Sequence, residues 1–116
     1  MFAHLASPIN IGSMRVKNRF VMPPMCTNYG GFKGEVTDRL IRYYAARAKG
    51  GYGLVMIEIT AVDPLGRATP HEVGIWSDDF IPAWKELVTQ CHKYGAKVVL
   101  QLHHAGRQTY AALIGQ

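Results

Sequence analysis

Short branched apolar runs alternate along the chain with longer stretches in which apolar residues recur every three to four positions. From Ser7 to Lys17, Ile9 and Ile11 precede a Gly12-Ser13 turn and then Met14 and Val16, which predicts a short hairpin. Phe20 to Met25 is a brief apolar strand, stopped at Pro23-Pro24 because proline cannot donate to a ladder. Thr37 suits a helix N-cap, with Asp38 in the first turn at the positive end of the helix dipole. Leu40, Ile41, Tyr44, Ala45 and Ala48 then share one helical face, and Gly50-Gly51 ends the run. Gly53 to Thr60, GLVMIEIT, is almost continuously apolar, as in a parallel strand buried on both sides. Ala61 to Trp76 holds Pro64, Gly66, Pro70 and Gly74 and reads as a loop. A second helix starts near Ser77-Asp78-Asp79 and tolerates Pro82 in its first turn. Its predicted buried stripe is Ile81, Trp84, Val88 and Cys91, with Lys85, Glu86, Thr89 and Lys93 facing water. After Gly95, Ala96 to His103 (AKVVLQLH) is a third strand.

The predicted order is hairpin, β, α, β, α, β, with strands starting near residues 20, 53 and 96. Such alternation means parallel strands joined by right-handed crossovers. Two architectures are compatible: a doubly wound sheet, or a (β/α)8 barrel of which 116 residues would hold at most three strands. Pattern alone leaves both open.

Composition narrows the function classes. With 48% hydrophobic and 18% charged residues the chain is globular in type. It has no apolar run long enough to span a bilayer, and Met1 to Asn10, without a positively charged start and a long apolar core, is not expected to be a secretion signal. Cys26 and Cys91 form neither a disulfide framework nor a zinc pattern, so a reducing, cytoplasmic compartment is the expectation. Thirteen basic residues against eight acidic ones leave a net charge of +5, which raises nucleic acid as a partner. The basic residues are scattered rather than clustered on one element, and the expectation is therefore solvated faces and no nucleic-acid partner.

Several motifs fail on context. Gly51-Tyr52-Gly53 follows a helix and precedes a strand, the reverse of a dinucleotide fingerprint, so a helix C-cap is the better reading. Gly30 to Gly34 lacks the terminal Lys-Ser/Thr of a phosphate loop and reads as a mobile loop. His71-Glu72 begins like a zinc-protease helix, but Ile75 stands where the second histidine belongs. His103 and His104 are adjacent in a strand, so they point to opposite faces and cannot chelate together. No metal site is expected.

The strand ends carry more. Gln101 shares a face with His103 late in an apolar strand, at the rim where α/β folds bind ligands. Its amide could donate to and accept from a heterocycle edge, or be satisfied by neighbouring backbone. Glu58, late in the second strand, is expected to share a face with Met56 and Thr60 and must be paired or protonated there; an ion pair inside the barrel is the expectation, ahead of a catalytic role. Cys26 sits just past the first strand at the same rim, either as inert packing or beside a redox cofactor.

These residues fall into four separated motifs. Val16-Lys17-Asn18-Arg19-Phe20-Val21-Met22-Pro23-Pro24-Met25 resembles the opening of the old yellow enzyme, or NADH:flavin oxidoreductase, family. Thr37-Asp38-Arg39-Leu40 with Tyr43-Tyr44 and Arg47 to Gly51 continues the match, as do Gly53-Leu54 with Glu58 and Gln101 to Arg107. The resemblance spans about residues 5 to 108 and implies the N-terminal part of a (β/α)8 barrel. Residues 1–116 would then be a partial, truncated FMN-binding domain.

By the same resemblance, FMN sits at the C-terminal rim, with Pro24, Met25 and Cys26 on the flavin and Gln101 on its pyrimidine edge. Ile59 would approach the flavin where many members carry a small residue. The implied chemistry is reduction of FMN by NADH or NADPH, followed by hydride transfer to an activated C=C bond of an enoate- or enone-type substrate. The substrate-gripping pair, the proton donor and the phosphate site belong to later family sequence. An intact enzyme would be homo-oligomeric. Thr27-Asn28-Tyr29 and Val36 to Ile41 look most like the large 2-enoate and dienoyl-CoA reductases, which add a 4Fe–4S cluster and a second flavin downstream. The alternatives are a non-catalytic flavin-binding or interaction fragment and a basic RNA-binding fragment.

Overall fold

The computed structural model describes residues 2–114. After a single helical turn, α1 (Ala3–Ala6), β1 (Ile9–Ile11) and β2 (Met14–Val16) pair antiparallel, with Ile9 opposite Val16 and Ile11 opposite Met14. Gly12 takes φ +57° in the turn between them, a conformation that glycine adopts without strain. The chain then enters a parallel sheet. β3 (Val21–Met22) and β6 (Lys97–His103) flank the long β4 (Leu54–Ala61). The short β5 (Val73–Gly74) pairs with the C-terminal end of β4.

Helices α2 (Asp38–Lys49) and α3 (Ile81–His92) pack against each other and on the sheet. Thr37 caps α2, its side chain accepting from the Leu40 N–H. A 3-10 turn at Asp78–Phe80, capped by Ser77, leads into α3. The core lies between the sheet and this helix layer: Met22, Val55, Ile57 and Val73 meet Leu40, Tyr44, Ala48, Trp84, Leu87 and Cys91.

The order of elements follows the sequence reading, with corrections. Only Val21–Met22 of the Phe20–Met25 run forms ladder, because the prolines follow immediately. The stretch between β4 and α3 holds a 3-10 turn at Pro64–Gly66 and the strand β5. On α3 the buried residues are Trp84, Leu87 and Cys91, while Ile81 is exposed and Val88 only half-buried. The helix is therefore rotated on the sheet relative to the predicted stripe. The glycine-rich segment Gly30 to Gly34, expected as a mobile loop, is tied down on both sides. The Arg67 guanidinium donates to the Phe32 carbonyl at 2.7 Å, and the Gly74 N–H donates to the Gly34 carbonyl at 2.8 Å.

Candidate functional site

The parallel register sets the rim. Up to Ile57, β4 and β6 pair residue for residue, with Ile57 opposite Leu100; then Ile59 pairs with Gln101 and Ala61 with His103. Glu58 is thus the extra residue of a β-bulge, which leaves one strand with a residue that has no counterpart. The bulge places Ile59 beside Gln101, two of the residues the sequence singled out. The Gln101 side chain is exposed near the end of β6. At the end of β3, Pro24 is half-buried and Met25 and Cys26 are exposed. Among the described residues the polar neighbours of the Cys26 Sγ are loose, Asn28 Oδ1 at 3.8 Å and Thr69 Oγ1 at 4.0 Å.

Glu58 departs most from expectation. It does not lie in the barrel interior with a cation but reaches the helix layer, and it is fully buried. The Thr27 N–H donates to Oε1 at 3.0 Å, and the Thr27 hydroxyl donates to Oε2 at 2.7 Å. Tyr44 of α2 accepts from the Glu58 N–H at 2.9 Å and donates its own proton to Oε2 at 2.9 Å. Burial, and then the nearby Glu58 charge, raise the Tyr44 hydroxyl well above the ordinary tyrosine pKa, so it remains a donor. The bulge explains the error. Strict alternation would put Glu58 with Met56, but the inserted residue turns it to the side already occupied by Ile57.

The sequence reading did not find a second buried carboxylate. Glu72 is fully buried, receives the Ala68 N–H on one oxygen at 2.6 Å and holds the His103 Nδ1 on the other at 2.8 Å. It ties the loop after β4 to the end of β6 and orients the His103 ring beyond Gln101. His71 Nδ1 faces the Gly30 carbonyl at 2.9 Å, and His104 Nδ1 accepts the Gly106 N–H at 3.0 Å. All three histidines thus have a hydrogen-bond partner within the protein. Nothing local in the sequence pairs Glu72 with His103, which lies 31 positions away. Arg39 and Arg47, part of the basic surplus, stack over the Tyr29 and Tyr43 rings at 3.8 and 3.5 Å from the centroids.

The rim therefore offers the apolar Ile59, Met25 and Pro24, an exposed amide at Gln101 and a thiol at Cys26. This combination fits a flat heterocycle with one polar edge, such as the ring of a flavin: apolar contact for its face, and a side chain that both donates and accepts for its edge.

The chain resembles known proteins over nearly its whole length. The sequence model of the NADH:flavin oxidoreductase / NADH oxidase family matches residues 4–113. The chain is 45% identical to the NADH oxidase of Thermoanaerobacter brockii over 109 residues, 93% of this chain and 17% of that protein. It is 42% identical to the NADPH dehydrogenase of Bacillus subtilis over 109 residues, 93% of this chain and 32% of that one. Among solved structures, a 2-naphthoyl-CoA reductase complexed with 2-naphthoyl-CoA superposes with a TM-score of 0.94 at 33% identity, covering 100% of this chain and 18% of its own. The old yellow enzyme homologue of Zymomonas mobilis superposes with a TM-score of 0.88 at 30% identity, covering 97% of this chain and 31% of its own. The chain thus spans about a third or less of the proteins it matches, and its sheet and helices correspond to part of their barrel.

Proposed function

The chain belongs to the NADH:flavin oxidoreductase / NADH oxidase family, and from that premise we propose that it supplies the opening portion of an FMN-dependent (β/α)8-barrel ene-reductase. The observation that carries the reading is the pairing of Ile59 with an exposed Gln101 late in adjacent parallel strands of a chain whose family match spans residues 4–113. FMN, when bound, would take hydride from NADH or NADPH and pass it to the electron-poor carbon of an activated C=C bond. Gln101 would orient the ring by its polar edge. Ile59 and Met25 would exclude water from its apolar part, and Cys26 would bring a polarisable thiol to it. The residues that grip an enoate or enone substrate and supply its proton are proposed to lie beyond residue 116, with five further β/α units.

We place the chain in the larger branch of the family. The support is that the Thermoanaerobacter brockii and 2-naphthoyl-CoA reductase likenesses, at 17 and 18% coverage of the longer protein, are at least as strong as those to shorter relatives. That branch would add the 4Fe–4S cluster and second flavin implied by the resemblance. Iron content and subunit mass of the intact protein decide it, and the same sizing experiment reports whether it is a homo-oligomer. A cytoplasmic location is proposed from the absence of paired cysteines.

The test of the flavin site is a titration of the intact apoprotein with FMN, followed by visible absorbance. Gln101→Ala should weaken binding by about 1–3 kcal/mol, on the order of 5- to 150-fold, because the polar edge loses its partner. Unchanged affinity would remove Gln101 from the site, and a wild type that binds no FMN would remove the function.

The two thiols should separate. Cys26→Ala should leave FMN bound but shift its reduction potential and the rate of its reduction by NAD(P)H. Burial pushes the Cys91 thiol up to about 11, so it stays protonated inside the helix layer. Cys91→Ala should cost only about 1 kcal/mol of stability, with the potential unmoved. Potentiometric titration of both variants checks this, and equal, unshifted potentials would return Cys26 to packing.

A further inference from the structure

Glu58 is fully buried, has no cationic partner among the described residues, and hydride transfer to or from a flavin asks nothing of a carboxylate at this place. Resting on the flavin reading above, we propose that Glu58 is a positioning residue: it holds Thr27 and through Thr27 sets where Cys26 meets the cofactor.

The hydrogen bonds form a closed ring. Glu58 takes both donors of Thr27, the N–H and the hydroxyl. The Thr27 Oγ1 in turn accepts the Tyr29 N–H at 3.1 Å. The Tyr29 carbonyl accepts the Thr37 hydroxyl, and Thr37 caps α2. From α2, Tyr44 returns to the Glu58 carboxylate. Every group that reaches the carboxylate is a donor, so both oxygens are needed as acceptors, which an ionised side chain supplies and a carboxamide cannot.

Cys26 has no comparable support of its own. It is exposed, its sulfur contacts are 3.8 and 4.0 Å, and the next residue but one, Asn28, turns the chain away at φ +56°. The fixed point next to it is Thr27. The bulge that aims Glu58 at Thr27 is also the bulge that brings Ile59 into register with Gln101. One inserted residue therefore aligns both halves of the proposed ring site.

The test uses the intact protein with FMN bound. Glu58→Gln and Thr27→Val should each shift the flavin reduction potential and slow flavin reduction by NAD(P)H on the order of ten-fold, through misplacement of the contact segment. Thr27→Ser, which keeps the hydroxyl, should stay near wild type. In a Cys26→Ala background the potential shift caused by Glu58→Gln should shrink, because its route to the flavin has been removed. Should Glu58→Gln fail to fold, the Thr27→Val and Thr27→Ser pair decides alone. Unshifted potentials in the Glu58 and Thr27 variants overturn the proposal, as does a shift of full size without the Cys26 thiol. A wild type that binds no FMN takes down the premise and the proposal together; flavin binding with unmoved potentials takes down the proposal alone.

Discussion

Leu87→Ala should cost the protein about 2–5 kcal/mol of stability, whereas Ile81→Ala on the same helix should change it by about 0.5 kcal/mol or less. Leu87 is fully buried among the residues that join α3 to the sheet, so truncating it removes apolar contact and leaves a cavity. Ile81 is 56% exposed and lines an open groove of about 540 Å³ with Ile75 and Val88. Its methyl groups lose little on truncation because water already reaches them. Urea unfolding of the two variants, with equal slopes confirming that the unfolded state is unchanged, measures both costs. The pair tests the rotation of α3 directly, since the sequence pattern assigns the burial to Ile81 and Val88 instead. An equal loss for Ile81→Ala would mean that the groove is covered in the intact protein.

Gly74→Ala is expected to damage stability and flavin binding together. The Trp76 ring lies against two glycines, Gly74 on β5 and Gly34 on the loop before α2. A methyl group on Gly74 would stand 2.1 Å from the Trp76 ring, and one on Gly34 would stand 2.3 Å from it. Real atoms do not approach so closely, so the ring must leave. Gly74 is also the point where the rim loops meet: its N–H donates to the Gly34 carbonyl, and its carbonyl accepts the Trp84 Nε1–H at 2.9 Å. Expelling the ring from this junction should cost about 1–3 kcal/mol by overpacking. FMN affinity should fall as well, because the displaced loops carry Thr69 and the segment after Cys26. At Gly34 the φ of +85° adds backbone strain of about 1–2 kcal/mol for any other residue, so Gly34→Ala should be the worse of the two. The check is a double-mutant cycle with Trp76→Ala. Removing the ring should erase most of the Gly74→Ala penalty, and a penalty that persists would place the clash elsewhere.

Much of this protein is set by residues acting on their near neighbours. The hairpin follows from Ile9 and Ile11 around a glycine turn, the start of α2 from Thr37, and the end of β3 from two prolines, because caps, turns and proline act within four or five positions. The alternation of apolar periods was enough to order the strands and helices. Four motifs were enough to indicate the family and to single out Ile59 and Gln101, which the strands then bring side by side.

What the sequence left undecided, or misassigned, depends on groups far apart in the chain. Trp84 and Cys91 face the core in both readings, so whether Leu87 or Val88 joins them turns on a rotation of α3 by roughly half the angle between successive helical residues, and only the packing of α3 on the sheet selects it. The bulge at Glu58 arises where β4 pairs with β6, some forty residues further on, and a strand read alone cannot reveal that its partner skips a residue. The partners of Glu58 and Glu72 come from other elements, brought close only once the sheet and its loops have closed. A buried carboxylate must find donors, so its presence in an apolar strand was legible as a demand. Which donors met that demand, and on which side of the sheet, was decided by the tertiary fold.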